Sequence, residues 1–226
     1  MLKIFKKIKS VGFRIICSVL YVNSQKFFCI GNNKTGTTSM AELFRQIGLR
    51  VGPQRPAELL LKDWIRGDYR RIIRYVKYNG EAFQDIPFSL PNTFKIMDKE
   101  FPDSKFILTI RNSPDEWYIS LTSFHSKLFG NGQIPTKEQL QIAEYVYPGW
   151  MWERTQIWET PENDIYNKEI MKKKYIDYNS SVIDYFKDRP GKLLVINVQE
   201  PDAAIKVCNF IGSEKIIHKM PWKNKS

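Results

Sequence analysis

Residues 26–39 read Lys26-Phe27-Phe28-Cys29-Ile30-Gly31-Asn32-Asn33-Lys34-Thr35-Gly36-Thr37-Thr38-Ser39. An apolar run is followed by a loop bounded by glycines, and then by apolar residues at helical spacing that end at Gly48. A strand, a tight loop and a helix N-terminus in this order are typical of phosphate-binding sites, because unpaired backbone N–H groups and the positive end of the helix dipole face the anion. The stretch therefore predicts an α/β fold with an anion site after its first strand.

The loop differs from the phosphate loop of ATPases at one position. A Walker A motif reads G-x-x-x-x-G-K-[ST]; Gly31 and Gly36 have this spacing, but Thr37 stands where the motif has lysine. The lysine of this loop, Lys34, lies between the two glycines. Kinases and ATPases also hold magnesium with a carboxylate, whereas the next strong strand pattern ends at Arg111. An arginine at that place suits a second phosphate better than a metal ion.

The loop resembles the 5′-phosphosulfate loop of the sulfotransferases that use 3′-phosphoadenosine 5′-phosphosulfate (PAPS), which usually reads P-K-[TS]-G-T-[TS]-[SAW]. This chain has Asn33-Lys34-Thr35-Gly36-Thr37-Thr38-Ser39. Asn33 thus replaces the usual proline. In that family an arginine that ends a strand and a serine on the next helix hold the 3′-phosphate, and Arg111 and Ser120 stand at these places, one residue further apart than in many members. The resemblance covers about residues 26–224. It implies PAPS as the donor, adenosine 3′,5′-bisphosphate (PAP) as the product, and no metal.

The rest of the chain alternates apolar strand patterns with helical patterns. Strands are predicted at residues 81–86, 105–110 and 191–198, the last of them buried. Helical patterns are predicted at residues 57–78, broken by Gly67, and at 92–100, 114–128 and 168–187. The alternation predicts an α/β fold with a P-loop-like parallel β-sheet of about four to five strands, flanked by helices on both faces. Because ligands bind beyond the carboxyl ends of parallel strands, we expect Lys34, Asp85 and Arg111 along one edge of the sheet.

Three residues are candidates for the chemistry of transfer. Lys34 would stabilise the charge that develops on the oxygen between phosphate and sulfate as the bond to sulfur breaks. Asp85 is a candidate general base for the acceptor hydroxyl, since it is similar to the acidic residue that carbohydrate sulfotransferases place after the second strand; the alternative is a turn-forming aspartate. His125 is the rival base, because cytosolic relatives use histidine, although its place on the helix after Arg111 does not match theirs.

Composition narrows the class of protein and of partner. The chain has 226 residues, of which 42% are hydrophobic and 14% aromatic, with three widely spaced cysteines and two histidines. These numbers predict one compact domain without a disulfide framework and without a metal site. The formal net charge of +11 suits an anionic donor, and no fold signature of a nucleic-acid-binding module accompanies it.

Residues 1–24 are predicted to form a basic amphipathic helix ahead of a sulfotransferase domain at residues 25–226. Apolar residues recur at helical spacing from Leu2 to Leu20, and lysines fill the other face. Such a helix either lies in the interface of an anionic membrane or packs on the domain with its lysines in water. Arg14 interrupts the apolar stretch, which argues against a signal peptide or a membrane span. We expect a cytoplasmic protein, either free or peripheral at a membrane through residues 1–20.

The predicted function is transfer of a sulfuryl group from PAPS to a hydroxylated acceptor, with a carbohydrate or glycolipid as the expected class. Two alternatives stay open: an ATP-dependent P-loop phosphotransferase, which binds Mg-ATP, and a non-catalytic nucleotide-binding module, which binds PAP and transfers nothing. The aromatic segment at residues 145–158 is either a wall for the acceptor or core packing. Glycines at 130 and 132, just before it, suit a lid.

Overall fold

The computed structural model describes residues 21–221. Strands β1 (Phe27–Cys29), β2 (Ala82–Gln84), β3 (Lys105–Thr109) and β4 (Leu193–Ile196) form one sheet in the order β2-β1-β3-β4. Every neighbouring pair of strands is parallel. The predicted parallel α/β sheet is therefore confirmed, with four strands. The predicted helix at the N-terminus lies, as far as residue 20, outside the described residues.

Helices fill the connections between the strands. They are α1 (Thr37–Gln46), α2 (Gln54–Glu58), α3 (Leu61–Ile65), α4 (Arg70–Asn79), α5 (Thr93–Glu100), α6 (Pro114–Phe129), α7 (Lys137–Ile142), α8 (Trp150–Thr155), α9 (Lys168–Phe186) and α10 (Ala203–Ile211), with a 3₁₀ turn at Gln156–Trp158 after α8. Among residues 21–221, no helix is long and apolar enough to cross a membrane.

Alternate side chains of the strands enter two separate cores. Phe28 and Phe106 face one side of the sheet, where they pack with residues of α4, α5 and α9. Cys29 and Ile107 face the other side, against α1 and α10. This is the period-two alternation of a strand with both faces covered, and it confirms the prediction of helices on both faces.

A third core lies beneath α6 and the aromatic segment. It contains Trp117 of α6, Trp150 and Met151 of α8, and Trp158 of the following turn, each of them buried. Core packing thus accounts for much of the aromatic segment at residues 145–158.

Two predictions about elements were wrong. The break expected at Gly67, which has φ of 69°, is present between α3 and α4, but the helix expected before it is two short helices, α2 and α3, and the Glu58 carbonyl at the end of α2 accepts a hydrogen bond from Trp150 Nε1 at 3.0 Å. The last strand, β4, is only partly buried: Ile196 is buried, but the strand lies at the edge of the sheet, pairs with β3 alone, and leaves Val195 39% exposed.

Candidate active site

A cleft of about 900 Å³ opens at the carboxyl edge of the sheet. It lies where the loop after β1, Asp85 after β2, Arg111 after β3 and Val198 after β4 come together. Most of the predicted site residues line it: Asn33, Lys34, Gly36, Thr37, Thr38, Ser39, Asp85, Arg111, Ser120 and His125. The expected edge of the sheet is therefore where the candidate residues meet.

Thr35 is the predicted residue that the cleft does not include. Its side chain is fully buried, and its hydroxyl donates to the Asn32 carbonyl at 2.6 Å and lies 2.6 Å from the Thr109 hydroxyl. A Cβ on Gly31 would come within 2.0 Å of the same Thr109 oxygen. Both residues therefore fasten the loop onto β3, and only a glycine allows the close approach.

Lys34 lies at the tip of the loop in a left-handed backbone conformation, with φ of 70°. Its ammonium sits over the ring of Phe124 at 4.1 Å from the centroid, a cation–π contact with α6. Burial lowers the pKa of Lys34, and the nearby charges of Arg111 and Lys127 lower it further. An anion bound here would replace like-charge repulsion by attraction.

Arg111 connects the end of β3 to this loop. Its Nε donates to the Lys34 carbonyl at 2.7 Å, and its Nη1 pairs with the Glu116 carboxylate at 3.0 Å. The other N–H groups of the guanidinium make no hydrogen bond with residues 21–221, and Arg111 lines the cleft. Ser120 lies on α6 and also lines the cleft. Its hydroxyl is buried and has no hydrogen-bond partner among residues 21–221. Unused donors of this kind fit an oxyanion such as a phosphate.

Asp85 follows β2 directly and is 8% exposed, with φ of 64°. One carboxylate oxygen, Oδ1, accepts from the Ile86 N–H at 2.9 Å and from the Asn33 side-chain amide. The other oxygen, Oδ2, has a single long contact, 3.4 Å from Gln54 Nε2. Burial raises the pKa of Asp85, while the two hydrogen bonds to Oδ1 and the charge of Arg154 oppose that rise. The arrangement leaves Oδ2 available to accept a proton.

His125 lies in the wall of the cleft as a neutral imidazole. Its Nδ1 is 2.8 Å from the Tyr166 hydroxyl, and its ring packs against Phe129 and Trp158. Burial lowers the pKa of His125 to about 3, with help from the charges of Arg154 and Lys34. Such an imidazole is a weak base.

Comparison with protein families decides the kind of domain. A family model described as a sulfotransferase domain matches residues 26–226. The chain belongs to the sulfotransferase family. A comparison with curated proteins finds no match.

The matched region of this sulfotransferase runs from the residue before β1 to the last residue of the chain, so it includes the loop, Asp85, Arg111 and every wall of the cleft. Among residues 21–221, no group of three or more His, Cys, Asp or Glu side chains could hold a metal ion.

Two buried charged residues of the sulfotransferase cleft were not predicted from sequence. Arg154 on α8 is 6% exposed; its Nη2 donates to Asn33 Oδ1 at 3.3 Å, and its guanidinium lies over Trp158. Glu58 on α2 is 3% exposed, and burial raises its pKa to about 7. The one sequence signal for Arg154 was a charged residue inside an aromatic segment, and Glu58 had none.

Proposed function

We propose that this sulfotransferase moves a sulfuryl group from PAPS to a hydroxyl of a carbohydrate or glycolipid. The observation that carries the donor assignment is the direct link between the two predicted donor cations. Arg111 holds the backbone carbonyl of Lys34 at 2.7 Å, and both side chains line one cleft at the carboxyl edge of the sheet. Two cationic groups at neighbouring strand ends suit a donor with phosphates at two places.

The part of the cleft lined by Lys34, Thr37, Thr38, Arg111 and Ser120, here called the donor half, has the groups that a doubly phosphorylated nucleotide requires. PAPS, when bound, supplies the sulfuryl group together with the leaving phosphate. Backbone N–H groups at the start of α1 and the hydroxyls of Thr37 and Thr38 would hold the 5′ side. Arg111 would hold the 3′-phosphate together with the Ser120 hydroxyl, which has no hydrogen-bond partner among residues 21–221. ATP has no such phosphate, which favours PAPS over ATP as the ligand.

Lys34 would act on the leaving side of the reaction. Its ammonium would exchange the Phe124 ring for the leaving oxygen, because a cation–π contact is weak compared with a pair of opposite charges. An interaction that strengthens as charge develops lowers the barrier rather than only the binding energy.

Asp85 is the better candidate for the base. A carboxylate with a raised pKa and an oxygen without a strong partner, Oδ2, can accept the proton of an acceptor hydroxyl. His125 is neutral with a pKa of about 3 and already contacts Tyr166. We therefore assign Asp85 as the general base, and His125 as a residue that lines the cleft without taking part in proton transfer.

The acceptor class rests on the half of the cleft beyond Asp85. Tyr145 lines this half with a partly buried ring, which packs on the buried ring of Trp150 with centroids 5.4 Å apart. Glu58 lines the same half. Aromatic faces stack on sugar rings, and carboxylates accept hydrogen bonds from sugar hydroxyls. These groups support a hydroxyl-rich acceptor.

Thermal unfolding with PAP and with Mg-ATP tests the donor assignment. A ligand of the folded protein raises its stability by about 2.7 kcal/mol at a hundred times its dissociation constant. We expect PAP to stabilise the natural chain and Mg-ATP not to, and Arg111→Ala to lose about 2 kcal/mol of PAP binding energy, the value of a hydrogen-bonded charge pair. Lys34→Ala should keep most of the PAP binding and lose sulfuryl transfer by roughly a hundredfold or more.

Arg45→Ala is the matched control, because Arg45 lies on the exposed side of α1 and pairs with Glu42. It should bind PAP like the natural chain. Stabilisation by Mg-ATP without stabilisation by PAP would contradict the proposal and favour a phosphotransferase. PAP binding without transfer of ³⁵S from labelled PAPS to any glycan or glycolipid of a broad panel would favour the non-catalytic module.

A further inference from the structure

A continuous row of polar groups runs from α8 through the donor loop to Asp85. Arg154 Nη2 donates to Asn33 Oδ1 at 3.3 Å, and Asn33 Nδ2 donates to Asp85 Oδ1. All three side chains line the same cleft. Asn33, which the sequence predicted to bind the donor PAPS, therefore also hydrogen-bonds Asp85, the candidate base.

The orientation of the Asn33 amide follows from the charges at its two ends. Its NH₂ group faces a carboxylate and its carbonyl oxygen faces a guanidinium. The reverse orientation would set the oxygen against the carboxylate and the NH₂ group against the cation, both repulsive. A dipole aligned between opposite charges strengthens both of its hydrogen bonds. Asn33 thus links the charge of Arg154 to Asp85.

Arg154 lacks an ion-pair partner of its own. Its guanidinium is 6% exposed, no carboxylate of residues 21–221 lies within ion-pair distance, and its Nη1 has no hydrogen-bond partner among those residues. Burial lowers the pKa of Arg154 to about 10, and the charge of Asp85 opposes that effect. A buried cation is costly unless an anion compensates it, and the nearest compensation runs through Asn33 to Asp85.

Arg154 is the cation among the titratable groups that face Asp85. The others are Glu58 on α2, Tyr145 before α8 and Cys29 on β1. The pKa of Tyr145 and that of Cys29 are each raised to about 12, so both are neutral at pH 7. Burial raises the pKa of Glu58 to about 7, and its ionised form carries the same sign of charge as Asp85. The link through Asn33 is therefore the main source of positive charge at the carboxylate.

The geometry points to Asn33 and Arg154 as positioning residues that keep Asp85 ionised and turn its Oδ2 toward the acceptor. This inference rests on the proposed function of Asp85 as the base. Oδ1 is held by Asn33 and by the Ile86 N–H, so the carboxylate cannot rotate without losing two hydrogen bonds. The other oxygen, Oδ2, whose contact with Gln54 Nε2 is long at 3.4 Å, is then the one that takes the proton from the acceptor hydroxyl.

Titration of Asp85 by ¹³C NMR tests the link without any acceptor. The protein is labelled at the Asp carboxyl carbons, and Asp85→Asn identifies the resonance. Arg154→Met and Asn33→Leu should each shift the Asp85 titration to higher pH, while Arg154→Lys, which keeps the charge, should shift it less than Arg154→Met. Arg55→Met is the matched control: it removes a cation from the neighbouring α2, paired with Glu58, and should shift the titration of Asp85 less than Arg154→Met does.

The outcomes separate this inference from the proposed function. An Asp85 titration that stays in place in both Arg154→Met and Asn33→Leu would overturn the link, even if PAP binds normally. An unchanged acid limb of transfer in Arg154→Met, with a raised KM for the acceptor, would overturn it as well and make Arg154 an acceptor contact. Absence of PAP binding in the natural chain would instead refute the donor assignment. Should Asn33→Leu fail to fold, the comparison of Arg154→Met with Arg154→Lys decides alone.

Discussion

At the scale of single residues, Asp85 combines two properties that seldom occur together. It is buried deeply enough for its pKa to rise, yet its Oδ2 keeps only one long contact, at 3.4 Å from Gln54. An aspartate with a purely structural role in a turn hydrogen-bonds the nearby backbone; here Oδ1 does so through the Ile86 N–H, while Oδ2 contacts no backbone group. That asymmetry is what a proton acceptor needs, since the base must be poised near the working pH and must reach the proton.

Asp85→Asn should retain PAP binding and lose transfer by about a hundredfold or more, the usual contribution of a general base. The natural chain should lose activity on acidification as Asp85 is protonated, at a pH above the ordinary range of an aspartate, because burial raises its pKa. It should lose activity on the alkaline side below the ordinary range of a lysine, because burial and the charges of Arg111 and Lys127 lower the pKa of Lys34. The pH profile of ³⁵S transfer from PAPS checks both limbs.

Asp63→Asn provides the comparison for Asp85→Asn. Asp63 is also buried, but it pairs with Arg71 and lies outside the cleft. This variant should lose some stability and keep its rate of transfer. Normal turnover in Asp85→Asn would remove Asp85 from the mechanism.

At the scale of elements, the loop between β1 and α1 was readable from sequence because its geometry is local. Gly31, Lys34 and Gly36 lie within six positions of one another, and their order fixes the strand, the turn and the helix start. The position of Arg111 followed in the same way from the end of a strand pattern. Arg154 did not, because it lies 121 positions from Asn33 along the chain, and no local pattern brings α8 to the loop.

Tertiary contacts also explain the elements that the sequence misplaced. At the end of α2 the Glu58 carbonyl accepts a hydrogen bond from Trp150 Nε1, 92 positions away along the chain, although the apolar spacing continues past Glu58. The apolar run of β4 predicted a buried strand, but burial of a strand depends on whether a neighbour covers its outer edge. The contact at the end of α2 and the uncovered edge of β4 both depend on distant parts of the chain, so neither can be read from the local sequence.

Gly36→Ala tests whether the loop requires its close contact with the end of β4. Gly36 has φ of 100°, and a Cβ there would come within 2.4 Å of Val198 Cγ2. The backbone conformation alone costs an alanine about 1–2 kcal/mol, and the overlap must move the loop or Val198. We expect lower thermal stability and a loss of PAP binding in calorimetric titration.

Gly48→Ala separates the cost of the backbone conformation from the cost of the overlap with Val198. Gly48 has a similar φ of 95° but open space around it, at the end of α1. It should lose stability through the backbone alone and bind PAP normally. Equal PAP affinities in Gly36→Ala and the natural chain would show that the loop does not depend on this contact.

At the scale of the whole molecule, the cleft and the start of the described chain lie at opposite edges of the sheet. The cleft is at the carboxyl ends of the strands, whereas Tyr21 is tied to Lys26, which precedes β1 at the amino end. A segment that leaves the domain at Tyr21 therefore starts far from the donor site.

Deletion of residues 1–20 should abolish co-sedimentation with vesicles of phosphatidylcholine and phosphatidylserine, and leave PAP binding unchanged. Each lysine near an anionic surface contributes about 1 kcal/mol, and the apolar face adds to it. The full chain should pellet less with phosphatidylcholine alone and at high salt, since screening weakens the attraction. Neutralising the three lysines at 172–174 to glutamine is the control for net charge: these lysines lie on α9 and pair with carboxylates, so their loss should affect pelleting little. Equal pelleting of the full and shortened chains would contradict this prediction, because the basic surface of residues 21–226 would then account for all of the binding. It would favour the alternative that the predicted N-terminal helix packs on the domain.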